Sequence, residues 1–371
     1  MTGDLRAETI VHPDATAAGK PHFEVLDGLR GSAALLVVLF HIQGIPIEFD
    51  GSKVILHHAP LAVDFFFALS GFVVGYAYDD RWIRMSVTQF VKIRLIRLHP
   101  LLVLGALLGF ASYLLDPFAG SRQAAPLGSV LSALALMVLS LPARPLPNRW
   151  DDTHPLNGPE WTLFWEYVGN LAYALVLRRL TTTWLLPIMA AGAIALFWTG
   201  AARGSLDGGW GWSNLWMALV RLTYPFVTGL FLYRVRHHLP KIRLGFLPLT
   251  LILTIAILLP IWPEAAGVRW NGLYEAALVI LLFPAIIIAG AHSDAGRGMI
   301  GICKISGRLS FPLYITHYPF LYIYMNWIFT RPSLGMILIV AAAALLFVLA
   351  FAWAAFEFWD KPIRARLKRA L

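Results

Sequence analysis

Eleven apolar runs recur along this chain, over residues 31–47, 61–78, 98–115, 127–141, 161–177, 184–198, 215–233, 244–262, 273–291, 309–329 and 334–358. A run near 20 residues is long enough to cross a bilayer core as a helix. Lipid offers the backbone no hydrogen-bond partner, so only helices or closed barrels span it. With 58% of residues hydrophobic and 14% charged, the chain reads as all-α, a polytopic transmembrane helical bundle. Residues 1–25 form a polar N-terminal segment carrying Asp4, Glu8, Asp14 and Glu24. That segment does not match a charged-then-apolar signal peptide, so the first span is expected to be retained. Residues 26–360 form the membrane domain and 361–371 a basic tail.

The positions of Lys and Arg set the topology, because they concentrate near span ends on the cytoplasmic side. The rich stretches are the N-terminal segment, residues 81–97, residues 234–243, residues 297–308 and the tail. If every run crosses, three of these fall outside. If one run between 98 and 141 fails to cross, all lie inside, and residues 127–141 are the candidate. Lys and Arg then divide as 22 inside and 7 outside, with Arg221 within a span, which accounts for all 30. The expectation is about ten spans with both termini cytoplasmic. The formal net charge of +9 is thus explained by orientation, and nucleic acid is excluded as a partner. A single cysteine, Cys303, excludes an internal disulfide and a cysteine metal cluster.

Local features refine the early chain. Gly71 and Gly75 form a small-xxx-small pair that lets a neighbouring backbone approach. Ser86 and Gln89 have capping-box spacing, which predicts a helix from there to His99. Its apolar residues read as interfacial, Arg94 and Arg97 share one face, and Pro100 disfavours helical geometry at His99 and predicts a bend. No internal repeat of the transporter kind is present. The adjacent pairs His57–His58 and His237–His238 point apart, no HExxH motif occurs, and no metal is expected.

Depth can be counted along the spans at about 1.5 Å per helical residue. His41 lies roughly 16 Å beyond Arg30, Ser70 roughly 14 Å from Asp79, Glu166 roughly 18 Å from Arg178 and His317 roughly 14 Å from Arg308. Four spans therefore place a polar group near the middle of a core about 30 Å thick. Ionisable groups at that depth are expensive and mark function by default. Each also has a plain structural reading as a buried group bonded to backbone or to a helix neighbour. A midplane His beside a carboxylate suits general base catalysis on a hydroxyl. Arg94 and Arg97 offer forked donors for a phosphorylated molecule or for lipid headgroups. Asp64 lies near the outer end of its span, positioned to meet an acceptor or cap a helix, and Glu275 with Arg221 reads as an ion pair between spans.

These residues resemble the membrane acyltransferase 3 family. The resemblance is carried by Leu26-Asp27-Gly28-Leu29-Arg30-Gly31 followed by His41, and by Val63-Asp64-Phe65-Phe66-Phe67-Ala68-Leu69-Ser70-Gly71-Phe72. It continues through Arg94, Arg97 and Pro100, then Asn157-Gly158, Trp161-Thr162-Leu163 and Glu166, and ends with Ser310, Tyr314, His317 and Pro319. Asp360-Lys361-Pro362 departs from the family's more frequent Glu-x-Pro ending. The resemblance implies an O-acyltransferase of the bacterial inner membrane that takes acetyl-CoA or another acyl-CoA from the cytoplasm and acylates a hydroxyl of an envelope glycan. It assigns His41 as catalytic base with Glu166 as its partner, and Arg30, Arg94, Arg97 and Ser70 to the donor. Asp64, Trp161, Tyr314 and His317 would then face the acceptor. The chain is similar to members that lack a fused extracytoplasmic domain. The alternative reading is a transporter or flippase that uses the same buried polar groups as a relay.

Overall fold

The computed structural model describes residues 22–369. Expectations for residues 1–21 lie outside the described residues. Thirteen α-helices carry the fold: α1 (Glu24–Gly44), α2 (Ala62–Tyr78), α3 (Val87–Leu115), α4 (Leu127–Val138), α5 (Trp161–Leu175), α6 (Thr182–Arg203) and α7 (Leu215–Val235), then α8 (Phe246–Leu258), α9 (Trp270–Ala277), α10 (Phe283–His292), α11 (Ile300–Ile328), α12 (Leu334–Ala354) and α13 (Lys361–Arg369). A π-helical turn, Leu278–Leu282, fuses α9 to α10, and another, Ala355–Asp360, fuses α12 to α13. The basic tail is therefore a continuation of a helix. The only strands among the described residues are Glu264–Ala265 and Val268–Arg269, a two-residue hairpin.

Seven helices or fused helix pairs are long and apolar enough to cross a membrane. α11, at 29 residues, has the length but is too polar to be among them. At about 1.5 Å per residue, the 12 residues of α4 reach about 18 Å, short of a core of about 30 Å. The run expected not to cross forms a short helix, and so do the runs at α8, 13 residues, and α5, 15 residues.

The capping box forms as the spacing predicts: Ser86 Oγ accepts from the Gln89 N–H and Gln89 returns the bond to the Ser86 N–H. The predicted bend does not interrupt the helix. α3 runs through Pro100 as one element of 29 residues, so residues 87–99 are continuous with the helix that follows and not a separate one. Pro is tolerated inside such helices when neighbours satisfy the freed backbone. The group freed here is the Ile96 carbonyl, four residues before Pro100; the Pro100 carbonyl itself accepts from the Trp359 indole at 2.7 Å, a separate contact that ties α3 to the turn before α13.

Two glycine contacts set the frame. A Cβ at Gly71 would meet the Phe226 carbonyl and one at Gly229 the Ala68 carbonyl, so α2 and α7 touch backbone to backbone. A Cβ at Gly31 would meet Ser306, and one at Gly307 would meet Asp27, which brings α1 equally close to α11. The end of the bundle holding Arg30, Asp79 and Arg234 is called the basic end, and the opposite end the far end. At the basic end Arg234 pairs with Asp79 at 2.8 Å and donates to the Leu180 carbonyl, and Tyr173 donates to Asp79 at 2.7 Å.

Between α4 and α5 the chain does something hydropathy does not foretell. Residues 152–157 and 159–160 are buried, and Asn157 donates its amide N–H to the Ile315 carbonyl of α11 at 2.8 Å. Leu156 packs on Gly109 of α3. The loop therefore dips into the bundle to the level of His317. Irregular backbone is tolerated at such depth only where protein surrounds it, and here it does.

Candidate active site

α1 and α11 run parallel in one register. Gly28 faces Cys303, Arg30 meets Gly307 and His41 meets His317, so partners stay close to 276 positions apart along both helices. Arg30 bolts the basic end of this pair. Its Nε donates to Ser310 Oγ at 2.9 Å, one terminal nitrogen donates to the Gly307 carbonyl at 2.7 Å, and Asp27 lies 3.1 Å away.

Eleven residues further on, His41 Nδ1 lies 2.9 Å from His317 Nε2, the rings 5.2 Å apart and inclined by 20°. His317 Nδ1 lies 3.0 Å from the Leu313 carbonyl oxygen. A carbonyl only accepts, so His317 carries its proton on Nδ1. With both rings neutral, its Nε2 is an acceptor and the His41 Nδ1–H donates to it. This hydrogen-bond network assigns the tautomers, and it leaves the lone pair of His41 Nε2 free. His317 is fully buried, while His41 is partly exposed. Among the described residues nothing bonds His41 Nε2. The Tyr318 ring stands edge-on to His41 at 4.7 Å and fixes its plane.

Glu166 belongs to a second cluster. Its Oε1 accepts from Ser70 Oγ at 2.6 Å, from Arg94 at 2.6 Å and from Asn170 Nδ2 at 3.1 Å. The expected His41–Glu166 pairing is therefore corrected: the partner of His41 is His317, and the Glu166 carboxylate is neutralised by Arg94. The two clusters lie at similar depth but are separated by rings. Phe66 packs against Tyr314 at 5.5 Å, and Tyr314 lies 6.2 Å from His317. The Tyr314 hydroxyl is held 3.1 Å from Thr162 Oγ1.

Arg94 is buried with its fork turned to Glu166, so it is not the open phosphate contact its spacing suggested. Arg97, three residues on, is partly exposed. Among the described residues it has no hydrogen-bond or ion-pair partner, and it lies within electrostatic reach of Arg30, Arg94 and Arg364. Those three arginines are paired with Asp27, Glu166 and Asp360 in turn, and Asp360 also lies within electrostatic reach of Arg97, which leaves Arg97 as the open guanidinium of the group.

Asp64 is closed to any acceptor by its surroundings. Its carboxylate is fully buried and bound by Arg221, with contacts of 2.6, 3.1 and 3.3 Å. Arg221 also donates to the Gly208 and Pro60 carbonyls, both at 2.7 Å, and the buried Trp161 ring covers the pair at 5.7 Å. The expected Arg221–Glu275 pair is likewise replaced, since Glu275 binds His58 at 3.0 Å. Sequence reasoning missed the Leu313 carbonyl that sets the tautomer, and the loop residues Phe49 and Trp150. The Phe49 ring lies 6.3 Å from His41 and 6.1 Å from Trp150. Backbone acceptors and loop aromatics carry no hydropathy signal.

The family model for an acyltransferase domain of the acyltransferase 3 group matches residues 23–356, nearly the whole chain. The chain belongs to that family. Among curated proteins, this acyltransferase is similar to "Protein 2 in picA locus" of Rhizobium radiobacter, with 35% identity over 184 residues, covering 47% of the chain and 92% of that relative. No solved structure matches it.

Proposed function

We propose that this acyltransferase moves an acyl group, most readily acetyl, from a cytoplasmic acyl-CoA to a hydroxyl of an envelope glycan, in the inner membrane of a bacterium. The observation that carries the reading is the free lone pair of His41 Nε2, held in place by a donor bond to a buried His317. His41 Nε2 takes the proton of the acceptor hydroxyl as its oxygen attacks the thioester carbonyl. The C–O bond forms, the C–S bond breaks, and the proton passes from His41 to the leaving thiolate, giving the ester and free CoA. His317 supports the imidazolium formed in between by accepting its Nδ1–H. A positioned base of this kind contributes about 10²- to 10⁴-fold.

In this reading the basic end faces the cytoplasm, both termini lie there, and ten elements cross the membrane. Arg97, supported by Arg30 and Arg364, binds the phosphates of CoA, since guanidinium forks suit phosphate oxygens. The Ser70–Glu166–Arg94 cluster holds α2, α3 and α5 around the donor path. No metal enters the scheme.

The test is His41→Ala in cells and in purified protein. Transfer of radiolabelled acetyl from acetyl-CoA to the glycan fraction is expected to fall at least 100-fold, with membrane insertion and acetyl-CoA binding retained. Undiminished transfer would remove His41 from the mechanism. Loss of acetyl-CoA binding in Arg97→Ala, with His41 intact, is the matching result for the donor site.

A further inference from the structure

At the far end of α1 and α11 lies a cavity of about 640 Å³, within the range of about 300–1,000 Å³ typical of small-ligand sites. Phe49 connects it to the dyad. One edge of that ring approaches His41, and Trp150 stands across it at an interplanar angle of 76°. Trp150 lines the cavity and is 50% exposed. Arg122 and Arg331 also line the cavity, with Glu48 as its single carboxylate.

Two further features flank the cavity. Arg149, next to Trp150 in the chain but not part of the cavity lining, is 1% exposed; its NH1 reaches Gln123 Oε1 at 3.1 Å and the Asn148 carbonyl at 2.8 Å, and its guanidinium lies over the Tyr322 ring at 3.6 Å. The nearby Asp116 is already occupied by the Phe118 N–H and Asn326. The second observation is backbone strain. Of six non-glycine residues with left-handed φ among those described, three line the cavity: Glu48 at 52°, Phe49 at 55° and Arg331 at 58°. Each costs about 1–2 kcal/mol in an L-residue, and such strain gathers where a shape is imposed for use.

We infer that this cavity is the acceptor subsite and that it takes an acidic sugar, the ring stacked on Trp150 and its carboxylate or phosphate held by Arg122 and Arg331. Aromatic faces suit the apolar side of a sugar ring, and two guanidiniums against one carboxylate favour an anion over a neutral glycan. The inference rests on the acyl-transfer reading only in turning the acceptor hydroxyl toward His41, past Phe49. Binding itself is independent of catalysis and is measured apart from it.

The experiment uses the full chain in lipid nanodiscs without donor. Binding of phenyl β-glucuronide, glucose 6-phosphate and neutral phenyl β-glucoside is followed by Trp fluorescence and calorimetry. At least one acidic probe is expected to bind about tenfold more tightly than the glucoside, and which one separates carboxylate from phosphate recognition. The preference should vanish in Arg122→Ala with Arg331→Ala, and Trp150→Ala should weaken all three probes. Thermal unfolding at the wild-type temperature shows that these variants are folded. Equal affinities, no binding of any probe, or a preference that survives the double substitution would overturn the inference. None of these outcomes depends on whether His41 is the base, so the two proposals fail separately.

Discussion

α11 and α12 are neighbours in sequence and in space, yet they obey opposite rules. α12 belongs to the span of highest mean hydropathy, 2.9, and only 6% of that window is buried. α11 fails the same hydropathy criterion but buries Ser310, Tyr314, Thr316, His317, Tyr318, Tyr322 and Asn326. In water the buried helix is the apolar one. In lipid, tails solvate leucine as well as a protein core does, so an apolar helix is free to stay outside and a polar one must be enclosed. The polar side chains therefore gather in a helix that hydropathy alone passes over.

The comparison breaks first at His317. His317→Phe removes the acceptor for the His41 Nδ1–H while nearly conserving volume, so acetyl transfer is expected to fall by about 10²-fold or more. His317→Gln, whose amide oxygen accepts a hydrogen bond, should recover part of it. If the Phe variant turns over at the wild-type rate, α11 carries no part of the base.

A second, smaller effect lies at Tyr322, whose hydroxyl donates to Asp152 at 3.2 Å. Burial pushes the carboxyl of this loop residue up to about 7. The native protein then keeps a proton that the unfolded chain, with a carboxylate near pH 3.9, has lost. Stability should fall as pH rises from about 4 to about 7 and level off above. Asp152→Asn is expected to flatten that slope in thermal unfolding between about pH 5 and pH 7.5, and an unchanged slope would assign the dependence elsewhere. The smallest effect belongs to α12. Leu338 is 62% exposed, and Leu338→Ala should alter stability by less than about 0.5 kcal/mol and leave transfer unchanged. A large loss there would mean that α12 packs against something more than lipid.

Much of the frame is legible in sequence because it depends on one dimension. Hydropathy identifies an all-helical membrane fold, the Ser86–Gln89 spacing gives a helix start, and Gly71 announces a close approach that Phe226 of α7 accepts. Depth counting also brings His41 and His317 to one level. It says nothing of the angle around the bundle, so it could not separate the His41–His317 pair from the Ser70–Glu166–Arg94 cluster, nor join Asp64 to Arg221. Arg94 and Arg97 share a face in sequence, yet one is consumed by Glu166 and the other left open. Pro100 reads locally as a bend, and the bond its carbonyl receives comes from Trp359, some 260 residues away.

The parallel register of α1 and α11 also bears on how the protein is made. His41 enters the membrane early and waits for a partner encoded 276 positions later. At about 5–20 residues per second, translation of the intervening chain takes on the order of 10–50 s. Through that interval the nascent first span exposes Asp27, Arg30 and an unpaired imidazole, with its glycine face empty. The His41–His317 pair is thus assembled only when the penultimate long helix arrives, and no chain released before α11 holds it.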